Sequence, residues 1–129
     1  MRPSPIDIKT TVRGSVPRLP FEDMRRAVLG SPYELSLVLC ADRLAQRMNK
    51  RYRKKDYSPN VLSFPISKNE GEIFLNIRKA EREARQSGVS IQRRIALLFV
   101  HGLFHLKGLA HSDHMEKEEQ RILRKFGLQ

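Results

Sequence analysis

Apolar and polar positions divide the chain into four strand-like and five helix-like stretches. Residues 6–12 alternate with period two, placing Ile6, Ile8, Thr10 and Val12 on one strand face. Residues 14–20 read as a connector. From 21 to 29 the spacing becomes helical, with Phe21, Met24, Ala27 and Val28 on one side and Gly30 as the stop. Residues 33–41 are strongly apolar, as a central strand would be. Asp42 is placed to cap a helix over 42–52 that turns Leu44, Ala45 and Met48 inward. Residues 61–64 form a short strand closed by Pro65, and 71–77 a further strand. Residues 78–86 predict a charged helix with Glu81 and Arg85 paired at i,i+4 and Gly88 beyond. Ser90 caps a helix over 91–107 that is apolar nearly all round after Arg94, hence buried, and Gly108 ends it. Asp113 and Glu116 give a capping-box pattern for a last helix to about Phe126.

Strands followed by helices predict an α+β fold: a mixed sheet of about four strands with helices packed on it. At 129 residues, one domain over 1–129 is the expectation. The start, with Pro3 and Pro5, reads as a loose tail and lacks the apolar core of a secretory signal. No run of apolar residues is long enough for a membrane span. A cytoplasmic protein is therefore expected. The one cysteine, Cys40, lies in an apolar run and reads as core, which excludes an internal disulfide and a Cys-rich zinc site. Charge adds a partner. Lys and Arg total 25 against 14 Asp and Glu, a net +11. That excess points to a polyanion, nucleic acid first and an anionic membrane surface second.

The sharpest chemistry lies in the buried helix and the turn after it. His101 and His105 stand four apart, about 40° around the axis and roughly 6 Å along it, so both imidazoles can reach one cation. Gly108 stops the helix and His111 follows three residues later. The pattern His-x3-His-x2-Gly-x2-His predicts one Zn²⁺ per chain, with nickel or another transition ion compatible with the same imidazoles. Its spacing matches the zinc helix and glycine turn of metzincin proteases. Those carry a glutamate after the first histidine as general base. Here that position is Gly102, and no carboxylate occurs between 101 and 111, which argues against peptide hydrolysis. Three histidines leave a coordination position open, as catalytic zinc sites do. His114 is a candidate accessory acid or base, or a surface residue beside the site.

The second signal is basic. Arg47, Lys50, Arg51, Arg53, Lys54 and Lys55 fall within nine residues, with Tyr52 and Tyr57 interleaved, which suits phosphate contacts and base stacking. Together the two segments carry a resemblance. Met48-Asn49-x-x-Tyr52-Arg53-x-Lys55-Asp56, Asn60-Val61-Leu62-Ser63-Phe64-Pro65, Gly71-Glu72-Ile73 and Val100-His101-Gly102-x-Phe104-His105-Leu106-x-Gly108-x-x-His111 resemble the YbeY family.

The resemblance implies a metal-dependent, single-strand-specific endoribonuclease. Its expected work is 3′ end maturation of small-subunit 16S rRNA and ribosome quality control. Ribosomal RNA and the small subunit are then the partners. It implies that His101, His105 and His111 bind the metal and that Arg53 falls on the family's functional arginine. Arg53 and His101 are the expected catalytic residues, with the 47–55 basic side chains holding RNA. Three positions depart from the pattern, and the Asn69–Glu72 connection is short. Leu109-Ala110 replaces the usual Tyr-Asp before the third histidine, and Lys54 replaces a glycine. Two further readings stand beside this one. A non-catalytic ribosome-assembly factor with a structural zinc suits the missing aspartate. A hydrolase for peptides or small phosphoesters is opposed by the charge and by Gly102.

Overall fold

The computed structural model describes residues 6–30 and 32–129, so the reading of Pro3 and Pro5 as a loose tail lies outside the described residues. Four strands, β1 (Ile6–Thr10), β2 (Glu34–Cys40), β3 (Val61–Ser67) and β4 (Glu70–Asn76), form one sheet in the order β1-β2-β4-β3. β1, β2 and β4 run parallel, while β3 is antiparallel to β4. The helices are α1 (Phe21–Leu29), α2 (Asp42–Arg53), α3 (Ile77–Ser87), α4 (Ile91–Lys107) and α5 (Asp113–Lys125). The expected α+β fold with a mixed four-stranded sheet is what the chain forms.

Successive strand residues point to opposite faces, and the two faces are covered unequally. Leu35, Leu37 and Leu39 of β2, with Ile73 and Leu75 of β4, join the large core. Buried residues of α1, α3, α4 and α5 complete it, among them Met24, Ala80, Phe99 and Ile122. The other face carries Val38, Cys40, Leu62 and Phe74 under α2, which contributes Ala45, Leu44 and Met48. Cys40 is core, as expected, and burial followed by the nearby Asp42 charge pushes its thiol up to about 12. It therefore stays an inert thiol.

The helix that matters most is α4. Its N-cap is Ser90, whose hydroxyl accepts from the Arg93 N–H at 3.1 Å, and its C-cap is Gly108 at φ 98°. Between them Ile95, Leu98, Phe99, Val100, Leu103 and Phe104 are buried, each large side chain contributing about 1.5–3 kcal/mol. Gly102 lets the helix approach the sheet. A Cβ there would lie 2.8 Å from Ser63 Oγ and 3.2 Å from Ile73 Cδ1, and Ser63 Oγ donates to the Gly102 carbonyl at 3.2 Å. The position where a metzincin places its glutamate is thus packed against β3.

Several local expectations change. β1 ends at Thr10, and Ile8 is 45% exposed because β1 is an edge strand. β3 runs through Pro65 to Ser67. It too is an edge strand, where a missing N–H is tolerated. Asp42 is the first residue of α2 rather than its cap, which is Ala41. The Asp42 carboxylate instead accepts from Arg82 Nη2 at 2.8 Å and Asn76 Nδ2 at 2.9 Å. Bonding to Arg82 holds its pKa below the ordinary value, opposed by burial and aided by Asn76. Ile77 opens α3 instead of ending β4, because Asn76 caps the helix by accepting from the Lys79 N–H at 3.1 Å. Glu81 pairs with Arg78 at 2.7 Å, one turn earlier than the expected Arg85. Ser112, not Asp113, caps α5.

Candidate metal centre and its cleft

His101 and His105 face the same way on α4 because four residues make just over one turn. Their Nε2 atoms lie 3.1 Å apart. The third histidine depends on how α4 ends. Gly108 N–H donates to the His105 carbonyl and Leu109 N–H to the Phe104 carbonyl, both at 3.0 Å, so the chain reverses sharply. Ser112 then fastens the far side, donating to the Ala110 carbonyl and accepting from the Met115 N–H, both at 3.2 Å. His111 sits between the two caps. Its ring centroid is 4.8 Å from that of His101 and 4.6 Å from that of His105.

One ligand atom from each histidine lies within 4.8 Å of the others. A tetrahedral ion with bonds of about 2.05 Å separates its donors by roughly 3.3 Å, close to the His101–His105 spacing. The donor set therefore fits a transition-metal ion, and imidazoles alone accept several such ions. A ligand histidine must be neutral. Burial first, then the neighbouring His101, His111 and Arg53 charges, holds the His105 pKa below its ordinary value.

A carboxylate does reach this site, from outside the 101–111 segment. Glu119 on α5 is buried, and its Oε2 lies 2.5 Å from His101 Nδ1. That contact puts the proton of a neutral His101 on Nδ1 and leaves the Nε2 lone pair for a metal. Between His101 and Glu119 lie 18 residues and a helix reversal. The only sequence sign was an acidic residue on the inward side of α5, beside Met115 and Ile122.

The histidines line one end of a cleft of about 770 Å³ that also includes Arg53, Tyr57, Ser63, Lys79 and Glu119. Arg53 is the last residue of α2, and its charge acts on His105. The structure thus brings Arg53 to the three histidines. Arg47, Lys50, Arg51, Lys54 and Lys55 are exposed and are not among the residues lining the cleft. His114 is exposed on the first turn of α5 and is likewise outside it. Lys54 adopts φ 56°, the one left-handed residue other than glycine among those described. Tyr52 turns to the sheet, its ring 5.2 Å from that of Phe64.

Fold and site together define an α+β protein in which three histidines able to hold a metal ion line one cleft with an arginine. The chain belongs to the YbeY family: the family model described as Endoribonuclease YbeY matches residues 15–127. It is 38% identical over 95 residues to Endoribonuclease YbeY of Carboxydothermus hydrogenoformans, matching 70% of this chain and 64% of that one. With the Pelotomaculum thermopropionicum protein of the same description it shares 31% over 131 residues, 93% of this chain and 84% of the other. The solution structure of TM1509 from Thermotoga maritima superposes with a TM-score of 0.69 at 20% identity, covering 94% of this chain and 88% of that one. At that identity the likeness concerns the fold. Among the described residues, no helix is long and apolar enough to cross a membrane.

Proposed function

We infer that the chain is a metal-dependent endoribonuclease that cuts single-stranded RNA, acting as one domain over residues 1–129. The observation that carries this is the meeting of Arg53 with the three histidines in one cleft. Family membership and the +11 charge support RNA as the substrate. The proposed ion is zinc, one per chain, since three histidines with an open position form a donor set that catalytic zinc sites use. The proposed task is 3′ end maturation of 16S rRNA and ribosome quality control in the cytoplasm, with ribosomal RNA on the small subunit as partner and no membrane role.

His101, His105 and His111 hold the ion, and Glu119 keeps the His101 ring in the tautomer and orientation this requires. A bound ion supplies Lewis-acid stabilisation of charge growing on the phosphoryl group. Arg53 holds the same phosphodiester through its planar fork and stabilises that charge from the other side. His101 belongs to the catalytic machinery as a ligand. The exposed Arg47, Lys50, Arg51, Lys54 and Lys55 act on the RNA backbone outside the cleft, through long-range attraction. His114 lies off this path and keeps only an accessory role.

One observation favours a second reading, an RNA-binding assembly factor with a structural metal. The carboxylates lining the cleft are both engaged, Glu119 with His101 and Glu83 with Arg94 and Asn60. None is left to take a proton, and Ala110 removes another. The experiment strips the purified protein with a chelator, restores zinc, and assays an RNA ending in unprocessed small-subunit sequence. Cutting that returns with metal and vanishes in Arg53→Ala supports the nuclease. Ribosomal-subunit binding without cutting supports the assembly factor.

A further inference from the structure

Tyr57, a stacking candidate from its place in the basic stretch, has no part in the proposed metal chemistry, yet the molecule fixes it firmly. The residue lines the cleft and is 48% exposed, so core packing does not hold it. The backbone does. Asn49, fully buried in α2, donates its side-chain N–H to the Tyr57 carbonyl at 3.1 Å. Ser58 Oγ donates to the Asp42 carbonyl at 3.1 Å, and Lys79 Nζ donates to the Ser58 carbonyl at 2.5 Å. Asn76, also fully buried, donates to the Pro59 carbonyl at 3.2 Å. Asn60 donates to the Glu83 carboxylate at 3.2 Å. Each residue from 57 to 60 is fastened without regular secondary structure. The result is a half-exposed aromatic ring on a rigid mount, facing the same space as Arg53.

The ring has a cation beside it. Lys79 Nζ stands 6.0 Å from the Tyr57 centroid and lines the same cleft. An aromatic face with an adjacent ammonium is the chemistry of a nucleotide site: the base stacks and the phosphate meets the charge. The other tyrosine of the basic stretch, Tyr52, is not among the residues lining the cleft: it lies against Phe64 and has Arg51 over its ring.

The geometry points to a subsite for one unpaired nucleotide of a single-stranded RNA, its base stacked on Tyr57 and its phosphate at Lys79, next to the phosphodiester held by Arg53. This rests on the reading of the cleft as an RNA site and adds the device that tells a single strand from a duplex. In a duplex both faces of a base are covered by its neighbours, so a protein ring stacks only on a base that is free.

The test is binding, measured apart from cutting. Fluorescence anisotropy is read at low temperature with the metal-loaded protein and a 2′-O-methyl RNA of about a dozen nucleotides. The strand is used alone and in duplex. Tyr57→Ala weakens single-strand affinity by about five- to a hundredfold and leaves duplex affinity unchanged. Tyr57→Phe keeps the ring and stays within about twofold of the parent, since stacking needs only the π-face. Lys79→Met lowers the slope of log affinity against log salt by about 0.7. An abasic position scanned along the strand weakens the parent protein at one place, and there costs Tyr57→Ala nothing more. If the parent binds no strand, the RNA reading falls and the subsite with it. If the parent binds and Tyr57→Ala matches it, or loses single strand and duplex alike, only the subsite is overturned.

Discussion

The histidine end of the cleft stands on α4, a helix buried almost all round, whereas the arginine end stands on the last turn of α2, where only Ala45 and Asn49 are buried. His101 and His105 inherit their positions from the main core, and His111 takes its place from the turn after α4. His101 and His105 cannot shift without moving Phe99, Leu103 and the strands beneath them. Arg53 is placed by a helix terminus over the smaller core, followed by a left-handed lysine. Rigid geometry thus sits where a metal needs ligand atoms held to tenths of an ångström. The helix with fewer buried side chains carries the group that must meet a flexible polyanion. The two ends should fail differently when changed.

The largest effect belongs to the ligands. His105→Ala should lower metal affinity by well over about a hundredfold, beyond what a supporting residue costs, and reduce the melting temperature of the metal-loaded protein. Competition with a coloured chelator reads the first and calorimetry the second. Arg53→Ala should act on the other end alone: a loss of roughly a hundred- to a thousandfold in cleavage, with metal content and melting temperature unchanged. If Arg53→Ala also lost metal, the division between the two ends would be wrong.

Glu119 sharpens the comparison because it supports the metal end from a third helix. Glu119→Ala should weaken metal binding by about ten- to a hundredfold, with Glu119→Gln closer to the parent because its amide oxygen can still accept from His101 Nδ1. Equal affinity for both variants and the parent would make the 2.5 Å contact irrelevant to the ligand set.

Acid should expose the same end in the metal-free protein. The folded chain resists protonation of His105, chiefly through burial, so the unfolded chain binds that proton more readily. Stability from neutral His105 is present above the unfolded value of about 6.5 and is lost as pH falls below it through the lowered folded value. Melting temperature of the chelated protein should therefore fall as pH drops below about 6.5, and the fall should shrink in His105→Asn.

The metal end was also the more legible in sequence, and for the same reason. His101 and His105 are related by the helical repeat, and Gly108 announces the turn that returns His111, so local spacing suffices. Glu119 was not legible. It reaches His101 only because α5 folds back on α4, which depends on Ser112 taking the cap position rather than Asp113. The bond from Asn76 to the Pro59 carbonyl joins separate elements in the same way, whereas Asn49 reaches Tyr57 over only eight residues. Arg25 is a third case: its spacing from Phe21 and Val28 puts it on the core face, but its charge argued for solvent, and it is fully buried because it donates to Glu22 and to the Gly30 and Tyr33 carbonyls. The sheet was legible from apolar runs, but its order was not, since β4 inserts between β2 and β3. Pro65 was misread as a strand end because an edge position cannot be recognised before the order is known.

The smallest effect tests the two helix ends against each other. α4 ends on Gly108 at φ 98°, where glycine has no side chain to strain. α2 ends on Lys54 at φ 56°, a conformation that costs a residue with a Cβ about 1–2 kcal/mol. Glycine at 54, the residue the family pattern usually carries there, removes that strain but gives the unfolded chain more freedom, a loss of about 0.5–1 kcal/mol. The net gain for Lys54→Gly is then about 0.5 kcal/mol, a rise of about 1–3 °C in melting temperature. Gly108→Lys adds the strain without relief and should lower it by more. RNA affinity should move the opposite way in Lys54→Gly, with a slightly shallower salt dependence, because the lost ammonium is exposed on the cationic side of the molecule. A Lys54→Gly protein that melts lower than its parent would mean the lysine holds the end of α2 in place. Arg53 would then depend on its neighbour's side chain and not only on the turn.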